Sequence, residues 1–339
     1  MSAEAGSRRS KRGGGRPLIQ SDAFEALAPE WASLHRSLPA ATPFTHPAWA
    51  ETWLREEGAA ALPVFLSVRR DDILIGVIPL DMASGEARLL GDPGVTDYAP
   101  LLAAPGEEEA VASALLEWLR EDLTTGALLW GVPAESPFAA AIRASGGSMG
   151  WSVEEAEEAV APARDLPPTW EEYLSRLGKK DRHELRRKMR NFEAAGAASF
   201  QEVTSGERFA AALETLIALM RASHPGKVEF LARHEPFFRA IALAMAGAGL
   251  GRLSTLVLDG EPTGMTLAFE NPETVYLYNS GYDPSFARIS AGLVSKAWVI
   301  RSAIECGKQT FDFLRGHEDY KHNLGGEPRP ILSFTLRQQ

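Results

Sequence analysis

Apolar residues recur every three to four positions through residues 22–38 (Phe24, Leu27, Trp31, Leu34) and through 46–57 (Trp49, Trp53, Leu54), which predicts two amphipathic helices. The period then falls to two. Val64, Leu66 and Val68 alternate with their neighbours, Asp71 and Asp72 supply a turn, and 73–80 is a second apolar run, so this stretch reads as a β-hairpin. Helical spacing returns at 107–120 and 137–145, on either side of a short buried strand at 127–130. Beyond a Pro-rich stretch, 161–168, the order repeats. Helix 170–195 and strand 199–203 are followed by helices 207–222 and 234–246, then by three strands (253–258, 264–269, 275–279) turned at Asp259-Gly260 and Asn271-Pro272. Helix 290–305 and strands 310–313 and 331–336 complete the chain. Two successive units of helices, antiparallel hairpin, helix and strand predict an α+β fold of duplicated architecture, divided as 17–163 and 164–339. Residues 1–16, rich in Gly, Ser and Arg, read as a solvated arm.

The composition of the 339 residues, 45% apolar and 24% charged, is that of a globular protein with one large or two medium domains. No apolar run approaches the roughly 18–20 residues of a bilayer span. Gly13, Gly14, Gly15 and Pro17 stand where the apolar segment of a secretion signal would follow the basic start. One cysteine, Cys306, expected in the core, allows neither an internal disulfide nor a Cys-rich zinc site, and the expected location is the cytoplasm. The net charge of −10 is uneven: residues 1–163 hold 12 Lys and Arg against 24 Asp and Glu, residues 164–339 hold 23 against 21. Phosphate binding is therefore expected in the second half, and an acidic first half argues against a protein that coats nucleic acid.

Three stretches could carry chemistry. Ser290, as N-cap, with Ala291, Gly292 and Leu293 opens a helix whose free N–H groups and positive dipole end suit a diphosphate, with Gly292 allowing close approach and Arg288 adding a charge-assisted contact. In residues 179–190 seven basic residues face Asp181 and Glu184, and Lys179, Arg182, Arg186 and Arg190 share one helix face, which suits an anion or a solvated surface with pairs such as Glu184 to Lys188. Asp312, between Phe311 and Phe313 on a short strand, is an acid that needs a partner, for which Arg315, Lys321 and the basic helix are the candidates. The Gly247, Gly249, Gly251 spacing follows a helix and precedes a strand, the reverse of a dinucleotide loop, and no phosphate-loop, G-x-S-x-G or H-E-x-x-H motif occurs. His317 and His322 are poor ligands at their spacing, and no metal is expected.

The run Tyr282-Asp283-Pro284-x-Phe286-Ala287, then Gly292, then Phe311-Asp312-Phe313-Leu314-x-Gly316-x-Glu318-x-Tyr320-Lys321, behind an Arg/Lys-rich helix, resembles the CelD-like acyltransferases of the GNAT superfamily, which are similar to the FemAB peptidyltransferases. A weaker echo, Gly91-Asp92 to Asp97-Tyr98-Ala99-Pro100-Leu101, lies in the first half. The resemblance implies two tandem GNAT-like units, each a mostly antiparallel mixed sheet flanked by helices. It implies acyl-CoA (acetyl-CoA or longer) as co-substrate, held by Arg288, Ser290, Ala291, Gly292 and Leu293. It also implies Lys321 as oxyanion stabiliser, Tyr320 as proton donor to the leaving group, and Asp312 as base or as orienter of Lys321. Arg182, Arg186, Asp97 and Tyr282 become the substrate contacts. The expected activity is N-acylation of an amine on a small metabolite or envelope precursor. The alternatives are a FemAB-like enzyme drawing on aminoacyl-tRNA and a non-catalytic binding module on the same fold.

Overall fold

Alternating sequence, once folded, gives two sheets. The computed structural model describes residues 15–121 and 125–339, so the arm lies, apart from Gly15 and Arg16, outside the described residues. The first unit runs β1 (Leu18–Asp22), α1 (Phe24–Ser37), α2 (Pro47–Glu56), β2 (Pro63–Arg70), β3 (Ile73–Asp81), β4 (Ala87–Leu89), β5 (Leu102–Ala103), α3 (Glu108–Glu121), β6 (Gly126–Pro133), α4 (Pro137–Ser145) and β7 (Trp151–Val160). The second runs β8 (Ala163–Asp165), α5 (Trp170–Arg176), α6 (Lys179–Glu193), β9 (Ala198–Val203), α7 (Gly206–Ser223), α8 (Pro225–Gly247), β10 (Gly251–Leu258), β11 (Glu261–Glu270), β12 (Thr274–Tyr282), α9 (Ala291–Glu305), β13 (Thr310–Asp312), α10 (Asp319–Asn323) and β14 (Pro330–Gln338). None of these helices is long and apolar enough to cross a membrane.

Both hairpins turn on residues in the left-handed region, Asp71 (φ 49) with Asp72 (φ 65) and Asp259 (φ 51) with Gly260 (φ 88), the geometry that matches strand twist in two-residue loops. The strand orders are β1-β2-β3-β4-β6-β14-β7, with β5 also on β3, and β8-β13-β12-β11-β10-β9. Pairing is antiparallel except at β4 with β6 and β12 with β13, each joined by a crossover helix, α3 and α9. The protein is thus an α+β fold of two antiparallel-rich sheets flanked by helices, and each unit contains the same strand, helix, parallel-strand device.

The chain does not keep its two units separate. β14 enters the first sheet between β6 and β7, burying Ile331, Leu332, Phe334 and Leu336, and so residues 330–338 depart from the 164–339 unit in which the sequence division put them. The slot exists because β7 does not pair with β6, leaving two unsatisfied strand edges that only a third strand can fill. In exchange β8 pairs with β13 at the edge of the second sheet. A common core spans the units: Trp49 meets Phe237, Phe269 and Tyr278 edge-on at 5.9, 5.5 and 5.7 Å.

Other departures are local. The predicted helix 170–195 breaks at Leu177 and Gly178 into α5 and α6. The Pro-rich boundary contains β8, and β1, β4, β5, β7 and α10 were not predicted. Cys306 is exposed at the end of α9 rather than packed in the core, because the chain leaves the helix there.

Candidate active site

β12 and β13 lie parallel for only three residues, from Thr274 beside Thr310 to Tyr276 beside Asp312. Tyr278 is an extra residue in β12, a bulge between Leu277 and Asn279 that increases local twist and carries the strand away from β13. The two strands therefore splay, and the opening between them is where the reactive groups collect.

On the β13 side the chain turns at Leu314, a buried non-glycine residue at φ 59, a conformation that costs about 1–3 kcal/mol and persists only where its surroundings hold it. Asp312 does the holding. Its Oδ1 accepts from Leu314 N at 2.7 Å and its Oδ2 accepts from the Tyr98 hydroxyl at 2.7 Å, across the boundary between the units. Burial pushes Asp312 up to about 6, against the pull of those two donors. Its partners are neutral donors, not Arg315, Lys321 or the basic helix as predicted, since a 3-residue strand sealed on both faces leaves room for no cation. Asp312 bears on Lys321 only through the backbone, as the Leu314 carbonyl accepts from Lys321 Nζ at 3.0 Å.

Lys321, 2% exposed on the single-turn α10, also donates to the Arg315 carbonyl (2.6 Å) and to Glu318 Oε2 (2.9 Å). Asp97 is a strut beside it: its carboxylate accepts from Arg315 N at 2.9 Å and its carbonyl from Arg315 Nε at 2.6 Å, while Arg315 pairs with Glu158 of β7 at 2.6 Å. Burial raises Asp97 although Arg315 and Lys321 pull the other way. It is bound to the protein's own backbone instead of facing a substrate.

On the β12 side a cavity of about 300 Å³ opens at the start of α9, lined by Tyr282, Ser290, Ala291, Gly292, Leu293 and Tyr320 together with Lys188 and Lys296. Ser290 sits at the N-cap position but at φ 60 and ψ 35, and its hydroxyl caps nothing. Its carbonyl accepts from Leu293 N and Val294 N, both at 3.0 Å. The N–H groups of Ala291 and Gly292 have no such partner and stand free at the positive end of a 15-residue helix. Gly292 is required by a side chain rather than by a ligand: a Cβ there would lie 2.9 Å from Tyr282 Cδ1 and 3.1 Å from its Cγ.

Several predicted contacts point elsewhere. Arg288 is exposed in the 3-10 turn Pro284–Ile289 and does not line the cavity. Arg182 donates to the Ser175 and Leu177 carbonyls and Arg186 pairs with Glu171, so the face they share on α6 clasps α5. The α6 cation in the cavity is Lys188, which reaches Glu184 at 3.5 Å.

Lys296 was not anticipated, although a lone cation within AGLVSKAWVI is the signal that marks it. It is 8% exposed, donates to the Gly292 carbonyl at 2.9 Å and lies 4.7 Å from the centre of the Tyr320 ring. Burial, with Lys227 adding to it, pulls Lys296 down to about 7. Burial also raises the Tyr320 phenol, which stays protonated at neutral pH. Lys227, from the first turn of α8, donates to Asn279 Oδ1 at 2.7 Å and is likewise lowered by burial. A separate cavity of about 330 Å³ between the 38–42 and 98–105 segments is largely apolar and brings no comparable set of groups together.

A diphosphate-sized space at a helix start, two free N–H groups, two lysines and a splayed strand pair are now in one place. Residues 179–322 match the acetyltransferase (GNAT) domain family. That segment contains α6, the splayed strands, α9 and α10. No curated protein matches the chain in sequence. Among solved structures, FemX is similar over 93% of this chain and 96% of its own, at 13% identity and a TM-score of 0.63. A conserved protein of unknown function from Bacteroides thetaiotaomicron gives 94%, 99%, 13% and 0.63 on the same measures, and L-PGS from Bacillus licheniformis 87%, 92%, 12% and 0.52. At these identities the likeness is one of fold, and it extends across both units.

Proposed function

We propose that the protein is a CelD-like N-acyltransferase that transfers an acyl group from acyl-CoA, acetyl-CoA or longer, directly to an amine of a small metabolite or envelope precursor. The observation that supports this most is the cavity at the α9 start, where unpaired N–H groups, two lysines and a protonated tyrosine face one space. The residues fit a diphosphate: Ala291 N–H and Gly292 N–H with Lys188 would hold it, by hydrogen bonds and charge together. Acyl-CoA would supply the activated carbonyl.

The chain's own residues divide the remaining work. Lys296, held near 7, is partly neutral at physiological pH and takes the proton of the attacking amine, a contribution of about 10²–10⁴ in rate for a positioned base. Tyr320 gives a proton to the departing sulfur. Lys321 sits beside the splay to oppose negative charge on the reacting carbonyl oxygen. Tyr98, Asp312 and Leu314 fix Lys321 in place.

The test is a titration with CoA, acetyl-CoA and longer acyl-CoAs by calorimetry. Saturable binding weakened at least tenfold by Lys188→Ala supports the reading, and absence of binding by every CoA species removes it. A FemAB-like enzyme using aminoacyl-tRNA is the second reading, favoured by the fold shared with FemX and by the exposed Lys179, Lys180, Arg187 and Arg190 of α6. Affinity for tRNA would fall steeply with salt, whereas affinity for one CoA would fall little.

A further inference from the structure

The first unit has its own strand, helix, parallel-strand device in β4, α3 and β6. The cavity of about 330 Å³ stands there in the place that the α9-start cavity holds in the second unit. It lies against the start of the crossover helix, at Pro105 and at Glu108 in the first turn of α3, and at the end of the parallel strand, at Val132 and Pro133 of β6. The duplicated place has kept its position and changed its chemistry.

α9 opens beside Lys188 and Lys296, whereas α3 opens on an acid, for Glu108 Oε2 accepts from Gly106 N at 2.7 Å. Glu273, from the turn between β11 and β12, brings a second carboxylate to the same cavity from the other unit. No Lys, Arg or His among the described residues lines it. A diphosphate would meet two acids and no counter-charge there, so this place does not suit a second CoA. The rest of the wall is mainly apolar, with Leu102, Val132 and Phe138 buried. A cavity of this size at a boundary between units, with apolar walls and a few polar groups of one sign, has the make-up of a ligand site.

We propose that the cavity binds the aliphatic chain of an amphiphilic amine, the chain lying against Leu102, Val132 and Phe138 and the ammonium group drawn by the carboxylates of Glu108 and Glu273. At about 30 Å³ for a group the size of water, the volume takes a chain of about ten carbons. Tyr98, which lines the cavity and donates to Asp312, puts the occupant in contact with the brace behind Lys321. The site does not depend on the acyltransfer reading.

Calorimetry tests it with n-alkylamines from hexylamine to tetradecylamine, below their micelle-forming concentrations, and with decanol and decanoate as the uncharged and anionic counterparts of decylamine. Affinity is expected to rise about three- to fourfold with each methylene and to level off at about ten carbons. Decylamine should bind more tightly than decanol, and decanoate least. Ala103→Phe, which puts a ring on a half-buried wall position, should weaken decylamine at least tenfold; Ala40→Trp, in the exposed 38–42 segment of the wall, does the same should Ala103→Phe fail to fold. Glu273→Gln should narrow the gap between decylamine and decanol at least threefold. Absence of saturable binding by every chain overturns the proposal, as does undiminished binding in both filled variants, which would put the chain elsewhere. Decanol or decanoate binding as tightly as decylamine, or an amine preference untouched by Glu273→Gln, overturns it too. Because no CoA and no turnover enter the measurement, failure of every CoA species leaves this site standing, and failure of the amines leaves the donor site standing.

Discussion

Lys296 offers a direct physical test, since a buried amine makes stability depend on pH in a calculable way. The folded protein holds it at about 7 against 10.5 for the free side chain, so the folded state pays about 5 kcal/mol for the charge once both states are protonated. Below pH 7 that cost is fully present. Between pH 7 and 10.5 the unfolded chain binds more protons than the folded one, so stability rises with pH across that window. Lys296→Met keeps the volume nearly constant and removes the titration. The other titrating groups are common to both proteins, so the stability of the wild type relative to the variant should increase by about 2–3 kcal/mol from pH 6 to pH 9. Urea unfolding at fixed ionic strength, followed by fluorescence and circular dichroism together, measures the difference. Parallel pH profiles for the two proteins would refute the reasoning, because they would mean that water or a counter-charge already solvates the amine. In the enzyme reading, kcat/KM of the wild type rises with pH and levels off above about 7, and Lys296→Met flattens that rise along with lowering the rate.

Asp312 titrates in the opposite sense. With its folded value raised to about 6, the folded state holds more protons between pH 4 and 6, so stability falls as pH rises through that window, by about 3 kcal/mol; Asp312→Asn should abolish the slope in acid-range unfolding curves. Lys321→Met is expected to lower kcat about 10²–10³-fold, and a loss under about tenfold in a steady-state assay would remove Lys321 from the mechanism. Gly292→Ala forces the Tyr282 ring aside and should cost about 1–3 kcal/mol in thermal or urea unfolding while weakening CoA binding. Arg288→Ala should leave that binding within about twofold by calorimetry, since the exposed side chain lies outside the cavity.

Local signals in the sequence reported local structure well. The Asp71-Asp72 and Asp259-Gly260 hairpins, α3, and the β12 to α9 order follow from apolar period and turn chemistry, which act over a few residues. β7 was invisible because WSVEEAEEAV is an edge strand facing water, so it carries glutamates where an apolar alternation would betray a strand. β14 was legible as a strand but not as a member of the first sheet, since its partners are set by chain topology and not by its own pattern. The site shows the same division. Tyr282, Ser290 to Leu293 and Tyr320 meet round one cavity, whereas Arg182 and Arg186 turn toward α5, where two carbonyls and Glu171 take their N–H groups. Asp312 was singled out as an acid needing a partner, and that partner, Tyr98, stands 214 residues away.

The placement of β14 also bears on how the protein comes off the ribosome. Residues up to 160 hold every strand of the first sheet except β14, so β6 and β7 lack their common neighbour until residues 330–338 have been made. At about 5–20 residues per second the gap between β7 and β14 lasts roughly 10–35 s. The second unit can close its own sheet earlier, because β8 precedes it in the chain. The sheet begun first therefore waits for a later strand than the sheet begun second: β14 for the first, β13 for the second.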